Sequence, residues 1–239
     1  MSQTDVDESA LPPDLEREIF EICALTHPRS ISKLLRVARR VKEWAEPFLY
    51  RTIIVPLEFT FKSDHFPIFT WNALQRAMDT KPPSFSAAAL RNLMIIQVYN
   101  EIFNSSPLAG GIGQLLALCT GVERLELRYS PVNSTRLVHT QLQPTRLYVE
   151  LEETLFRNFP PSHSFFSQLT HFQIGSWPVR NVERVRNLAL LPRLTHIGGY
   201  WVPRASNVIR QILHAYKESI QLSDAHSEYT HPDLWASQN

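Results

Sequence analysis

Two histidines in matched phrases, Gln168-Leu169-Thr170-His171-Phe172 and Arg193-Leu194-Thr195-His196-Ile197, are the residues best suited by type to move a proton or hold a metal. Imidazole titrates near neutral pH and is the commonest metal ligand. The companions that either chemistry needs are missing from the sequence, which has no His-Glu-x-x-His pair and no paired cysteines at ligand spacing. A repeated phrase accounts for the matching histidines without catalysis. Gly110-Gly111-Ile112-Gly113 precedes helical apolar spacing and has the backbone freedom to cradle a phosphate. It lacks the Gly-Lys-Ser/Thr ending of a phosphate loop, and Arg128 to Val132, about 20 positions further on, holds no acid for a ribose. The four residues read as a turn before a helix. There is no Gly-x-Ser-x-Gly elbow, and Glu152-Glu153 has no identifiable partner acid. Cys23 and Cys119 are far apart and read as buried thiols of a reducing compartment rather than a disulfide or zinc site. The chemistry points to binding, with no catalytic residues, metal or cofactor expected.

The forty residues from Leu11 to Tyr50 carry the strongest pattern. Leu15, Ile19, Ile22 and Cys23 fall at i, i+4, i+7 and i+8, and Leu34, Val37, Ala38, Val41, Ala45 and Phe48 continue a similar period after a break. Two amphipathic helices are predicted. Pro13 suits the first helical turn, where its missing N–H is no loss, and Asp14 and Glu16 favour the positive end of the dipole. His27-Pro28 suits the end of that helix. Ser30 or Ser32 is placed to cap the second, which Pro47 closes or carries into a final turn. So small a module buries little by itself, which leaves one apolar face for another chain.

Leu11-Pro12, Leu15 and Ile19, then Leu34-Leu35-Arg36-Val37-Ala38-Arg39-Arg40-Val41, then Pro47-Phe48-Leu49-Tyr50, resemble the F-box motif in the divergent form abundant in fungal proteins. The resemblance implies a non-catalytic subunit that docks the adaptor of an SCF-type cullin ubiquitin ligase complex. Leu11, Pro12, Leu15, Ile19, Leu34, Val37 and Val41 would make the docking contacts. The remainder of such a chain captures a protein substrate.

Composition agrees with a globular protein: 239 residues, 44% hydrophobic and 20% charged, with a formal net charge of +1. These totals give no reason to expect nucleic acid or an anionic membrane as partner. Locally, Arg29, Lys33, Arg36, Arg39, Arg40 and Lys42 stand in one stretch without an acid. That stretch reads equally as a solvated helix face or as a surface for an acidic protein. The first ten residues are polar, with no signal-like apolar core, and no apolar run approaches the ~20 residues that cross a bilayer. A cytoplasmic or nuclear location is expected.

From Ala87 onward a short apolar phrase recurs: Leu93-Met94-Ile95, Leu125-Glu126-Leu127, Leu147-Tyr148-Val149, Phe172-Gln173-Ile174, Ile197-Gly198-Gly199 and Ile220-Gln221-Leu222. After the first interval the spacing falls in the twenties, which is the period of leucine-rich repeats. A generic α/β domain with several short strands would give similar spacing. Gly113 to Leu118 and Val182 to Leu191 carry helical apolar spacing between phrases. Arg51 to Val55 reads as a first strand ended by Pro56. Phe59, Phe61, Phe66, Phe69 and Trp71 read as the seal of an irregular junction, with a ligand patch as the alternative. Trp71 to Met78 looks helical and Lys81-Pro82-Pro83-Ser84 looks like a loop.

The expected fold class is therefore α/β: a tail at 1–10, the helical module at 11–50, an irregular leucine-rich-repeat-like solenoid at 51–222 and a loose tail at 223–239. Period-two alternation turns Leu125 and Leu127 inward. It turns Arg124, Glu126, Arg128, Arg146, Tyr148, Glu150, His171, Gln173 and His196 to one mixed-charge face, the candidate substrate surface. Two alternatives stand beside the ligase reading. One is a repeat-type scaffold whose helical module only caps the solenoid; the other is an enzyme with an unrecognised site. An adaptor-docking module should leave several apolar side chains between Leu11 and Val41 exposed, and a cap should bury them.

Overall fold

The computed structural model describes residues 11–56, 66–96, 114–128, 140–151, 160–176, 188, 190–199 and 221–224. Two compact units divide between Tyr50 and Arg51.

In the first unit, α1 (Pro13–Thr26) begins at Pro12, whose carbonyl accepts from the Glu16 N–H at 3.0 Å. The helix ends at His27, just before Pro28, which opens the short 3-10 turn Pro28–Ser30. In place of a single second helix, a short α2 (Ile31–Leu34) runs into a tight turn and a separate α3 (Arg39–Leu49). The N–H groups of Arg36 and Val37 bond back three residues, to Lys33 and Leu34, and Ala38 is extended at φ −157°, ψ 159°. Bonds of that kind tighten the chain and stop α-helical propagation. Ser30 has a helical backbone and makes no side-chain cap. Pro47 lies inside the last turn of α3, where the helix continues to Leu49. The core is built from Ala24, Ile31 and Ala45, with Leu34, Leu35, Phe48 and Leu49 packed against it. Arg40 of α3 grips the Glu16 carboxylate of α1 through Nε at 3.0 Å and a terminal nitrogen at 2.8 Å.

The second unit carries β1 (Thr52–Pro56), α4 (Trp71–Thr80), α5 (Pro83–Ala89), β2 (Asn92–Ile96), β3 (Arg124–Arg128), β4 (Arg146–Leu151), β5 (His171–Ser176), β6 (His196–Gly199) and β7 (Gln221–Asp224). The seven strands form one parallel sheet in the order of the sequence. Pro83 starts α5, so the expected loop at Lys81–Ser84 is a helix N-terminus; Pro is tolerated there because its missing N–H has no intrahelical partner to lose. Ser223 and Asp224 belong to β7, which carries the sheet past the limit expected at residue 222. Residues 114–118 are helical.

One sheet face is a continuous apolar row: Ile53 and Val55, Leu93 and Ile95, Leu125 and Leu127, Leu147 and Val149, Phe172 and Ile174, then Ile197, all buried. Buried side chains of the connections, among them Leu116, Cys119, Phe165, Phe166 and Leu191, add to this apolar interior. The opposite face is divided. On β1 and β2, Ile54, Met94 and Ile96 form a second small cluster with Phe66, which gives that aromatic the role of a seal. Ile68 pairs with Ile54 in a parallel bridge, occupying the outer edge of β1. Phe59 and Phe61 lie outside the described residues.

A threonine ladder runs along the N-terminal ends of the strands. The carbonyls of Arg51, Arg91, Glu123, Thr145 and Thr170 each accept two successive backbone N–H groups from the next strand, at 2.8–3.1 Å. Thr145, Thr170 and Thr195 add a third bond, each hydroxyl donating to the same carbonyl at 3.0–3.1 Å. Thr170→Val keeps the shape and removes that donor. It is expected to cost about 1 kcal/mol, read as a lower urea midpoint with an unchanged slope.

Candidate functional site

Two surfaces collect the residues singled out by the sequence. On the first unit, α1 turns Ala24 inward, and Phe20 and Cys23 are half-buried. The other side keeps the i, i+4, i+7 stripe in solvent, with Leu15 49%, Ile19 46% and Ile22 50% exposed. Leu11 and Leu25 extend it, Pro12 is exposed, and Val37 on the turn after α2 is 60% exposed. Scattered exposed apolar residues are ordinary; a helical stripe of them is not.

Two of the expected docking residues are placed differently. Val41 is fully buried, and Leu34 is half-buried against the Ala24–Ile31–Ala45 cluster. In an unbroken helix Val37 and Val41 would share a face. The extended backbone at Ala38 breaks that relation, so Val37 faces solvent while Val41 is buried. Leu34 packs on the core of the unit, and Val41 is out of reach of solvent. The basic stretch beside them is partly spent on internal pairs, with Arg40 on Glu16 and Arg39 3.4 Å from Glu43.

On the second unit, the unsealed part of the polar sheet face lies over β3 to β6. In register across neighbouring strands stand Arg124, Arg146, His171 and His196, all half-buried. The next row holds Glu126, Tyr148 and Gln173. Arg128 lies two residues beyond Glu126, and Glu150 two beyond Tyr148; the side chain of Glu150 is outside the described part of the structure. Alternation places Glu126 on this polar face, yet it is only 3% exposed. Arg128 Nε donates to its Oε1, and the Arg128 guanidinium sits 5.4 Å from the centre of the Tyr148 ring. A carboxylate taken out of water needs such a partner. Sequence pattern alone had no means of finding this burial.

The histidines form a defined pair. Their rings stack with centroids 4.1 Å apart and planes within 5°. Each Nδ1 lies 2.8 Å from the hydroxyl of the preceding threonine. The same hydroxyls lie 3.0–3.1 Å from the ladder carbonyls, so each threonine oxygen links an imidazole to the ladder. Burial first, then His196, Arg146 and Arg124, push the His171 pKa down to about 4. His171 is therefore neutral at physiological pH. Arg124 is held below its ordinary value by burial and then by the neighbouring Arg146 charge.

Among the described residues of this face, the groups do not form a nucleophile–base–acid triad. Among the described residues no cluster of three or more His, Cys, Asp or Glu could hold a metal ion. Cys119 is buried and its thiol is pushed up to about 12, which leaves it unreactive; Cys23 is half-buried rather than buried. No helix among the described residues is long and apolar enough to cross a membrane. Comparisons with known protein families, with curated proteins and with solved structures find no match.

Proposed function

We propose that this chain is a non-catalytic substrate-recognition subunit of an SCF-type ubiquitin ligase, docking the adaptor with its N-terminal helices and a protein substrate with its sheet. What carries the reading is the exposed stripe Leu11, Leu15, Ile19, Ile22 and Val37, set on a small helical unit whose own core is complete without it. The ordered resemblance of Leu11 to Tyr50 to the F-box supplies the occupant. We read the second unit as an irregular leucine-rich-repeat-like solenoid. Its support is one strand per repeat, sequential parallel order, and a hydrogen-bond junction repeated five times. The mixed-charge face over β3 to β6 suits a protein better than a nucleic-acid backbone.

Co-expression with a fungal SCF adaptor subunit tests the first half. The wild-type chain is expected to co-purify as a stable complex. Burying the exposed half of each stripe residue is worth about 1 kcal/mol, and a carboxylate placed there adds a desolvation cost. Leu15→Asp with Val37→Asp should therefore weaken the complex by at least about 100-fold. Both positions face solvent, so circular dichroism and the unfolding midpoint should barely move. A folded wild-type chain that binds no adaptor would be a scaffold outside any ligase.

A further inference from the structure

The break between α2 and α3 has nothing local in its favour. Ala38 is extended, with neither glycine nor proline beside it, and it offers no side-chain oxygen to the free N–H groups at the start of α3. The first turn of α3 has no acid and carries Arg39, Arg40 and Lys42, which are cations at the positive end of the helix dipole. By apolar spacing, one unbroken helix would serve Leu34 to Phe48 as well. In that form Val37 and Val41, at i and i+4, share a face, and Val37 follows the buried Val41 out of solvent. A contact from outside the segment must select the broken form. Arg40 makes one: its Nε lies 3.0 Å and 3.3 Å from the two Glu16 carboxylate oxygens, and a terminal nitrogen lies 2.8 Å from Oε1. Glu16 stands on α1 next to Leu15 and about one turn before Ile19, with only 21% of its side chain exposed. A guanidinium fork on a carboxylate fixes direction as well as distance. It also brings to the start of α3 the acid that its own first turn lacks.

We propose that Arg40 and Glu16 are the positioning pair of the docking surface: their bond holds the break at Ala38, so that Val37 is presented to the partner together with the α1 stripe. The inference rests on the adaptor-docking reading of that stripe and adds the residues that set its shape. Neither side chain needs to touch the adaptor, because Arg40 acts through Val37 and Glu16 through the start of α3. An ion pair with one exposed member shifts an equilibrium by only about fivefold or less. That is enough to matter where two backbone forms lie close in free energy, as the uncapped, wrongly charged start of α3 implies. A partner that binds one form alone loses affinity in proportion to the fraction of molecules that leave it. Loosening the pair should therefore weaken docking while every apolar docking residue is still in place.

The test uses the full chain labelled with 15N-alanine and two readouts. One is the three-bond coupling between the amide and α protons of Ala38, which is large in extended backbone and small in a helix; the other is the affinity for a fungal SCF adaptor subunit by calorimetry. The wild type is expected to show the large coupling. In Arg40→Gln and in Glu16→Gln the coupling should fall toward the helical value and the affinity should drop by about fivefold, in step with the extended fraction that remains. Arg40→Lys keeps the charge without the fork and should lie between wild type and Arg40→Gln. It also serves as the milder variant if Arg40→Gln does not fold, which urea midpoints report. Exchanging the pair, Glu16→Arg with Arg40→Glu, should restore both readouts to within about twofold. An unchanged coupling in the folded variants overturns the proposal: with lower affinity, Arg40 is a direct adaptor contact, and with only a lower urea midpoint, the pair is merely structural. The docking reading fails separately. If the wild type has the large coupling and binds no adaptor, that reading falls, and the coupling in Arg40→Gln still decides whether the pair holds the break.

Discussion

Gly121→Ala is expected to destabilise the sheet unit by about 3 kcal/mol and to lower its melting temperature by roughly 10 °C. The glycine lies in the turn after helical residues 114–118, where the chain passes against α5. A Cβ built there would stand 1.9 Å from the Ala87 carbonyl oxygen, 3.0 Å from its carbon and 3.0 Å from an Arg91 guanidinium nitrogen. The first two atoms are backbone, so no change of rotamer relieves the contact. The third belongs to a hydrogen bond, since the same Arg91 nitrogen donates to the Gly121 carbonyl at 3.1 Å. A methyl group must therefore separate α5 from the turn and strain the entrance to β2 together. Ala87→Gly should give no rescue, because the obstacle is the carbonyl rather than the side chain. Thermal unfolding followed by circular dichroism measures the effect. A loss below about 0.5 kcal/mol would mean that the two segments do not approach this closely.

The strand phrases were legible because each carries apolar residues at period two or in a short run, and each lies wholly or partly within a strand of the parallel sheet. Helix α1 was legible from its stripe and from Pro13 and Pro28 at its ends. The break at Ala38 was not, because no glycine or proline marks it, and the apolar spacing from Leu34 to Phe48 is equally compatible with one helix. That single extended residue decides which candidate docking side chains reach solvent. The threonine ladder was hard to foresee, since the polar ladder of regular leucine-rich repeats comes after each strand and this one precedes it. Its trace is the repeated Leu-Thr-His phrase. On β1 and β2, the runs Ile53-Ile54-Val55 and Leu93-Met94-Ile95-Ile96 carry apolar residues to both faces. That is the pattern of strands covered on both sides, whereas β3 to β6 alternate. Which side chains share the open row follows from register, and the register was recoverable from aligning the phrases. The burial of Glu126 and the stacking of His171 on His196 were not, because both depend on how side chains pack across neighbouring strands, as Arg128 does over Tyr148.

Replacing Arg128 with methionine is expected to cost about 3 kcal/mol or more, a larger loss than its packing alone would give. Glu126 is almost fully buried on a sheet face that is elsewhere half open, and Arg128 supplies it with a charged hydrogen bond. Removing one member of a buried pair leaves a charge that water cannot reach, which typically costs about 3–5 kcal/mol. Removing both is a different matter, because two apolar side chains of similar size need no compensation in the same space. Glu126→Leu with Arg128→Met should accordingly recover most of the stability lost by Arg128→Met. Urea unfolding of the wild type, both single variants and the double variant closes the cycle and isolates the coupling. Packing of Arg128 on Tyr148 is lost in the single and double variants alike, so it cancels from the coupling energy. A coupling near zero would show that Glu126 does not depend on Arg128. A coupling of about 2 kcal/mol or more would make the pair a structural anchor of the second row.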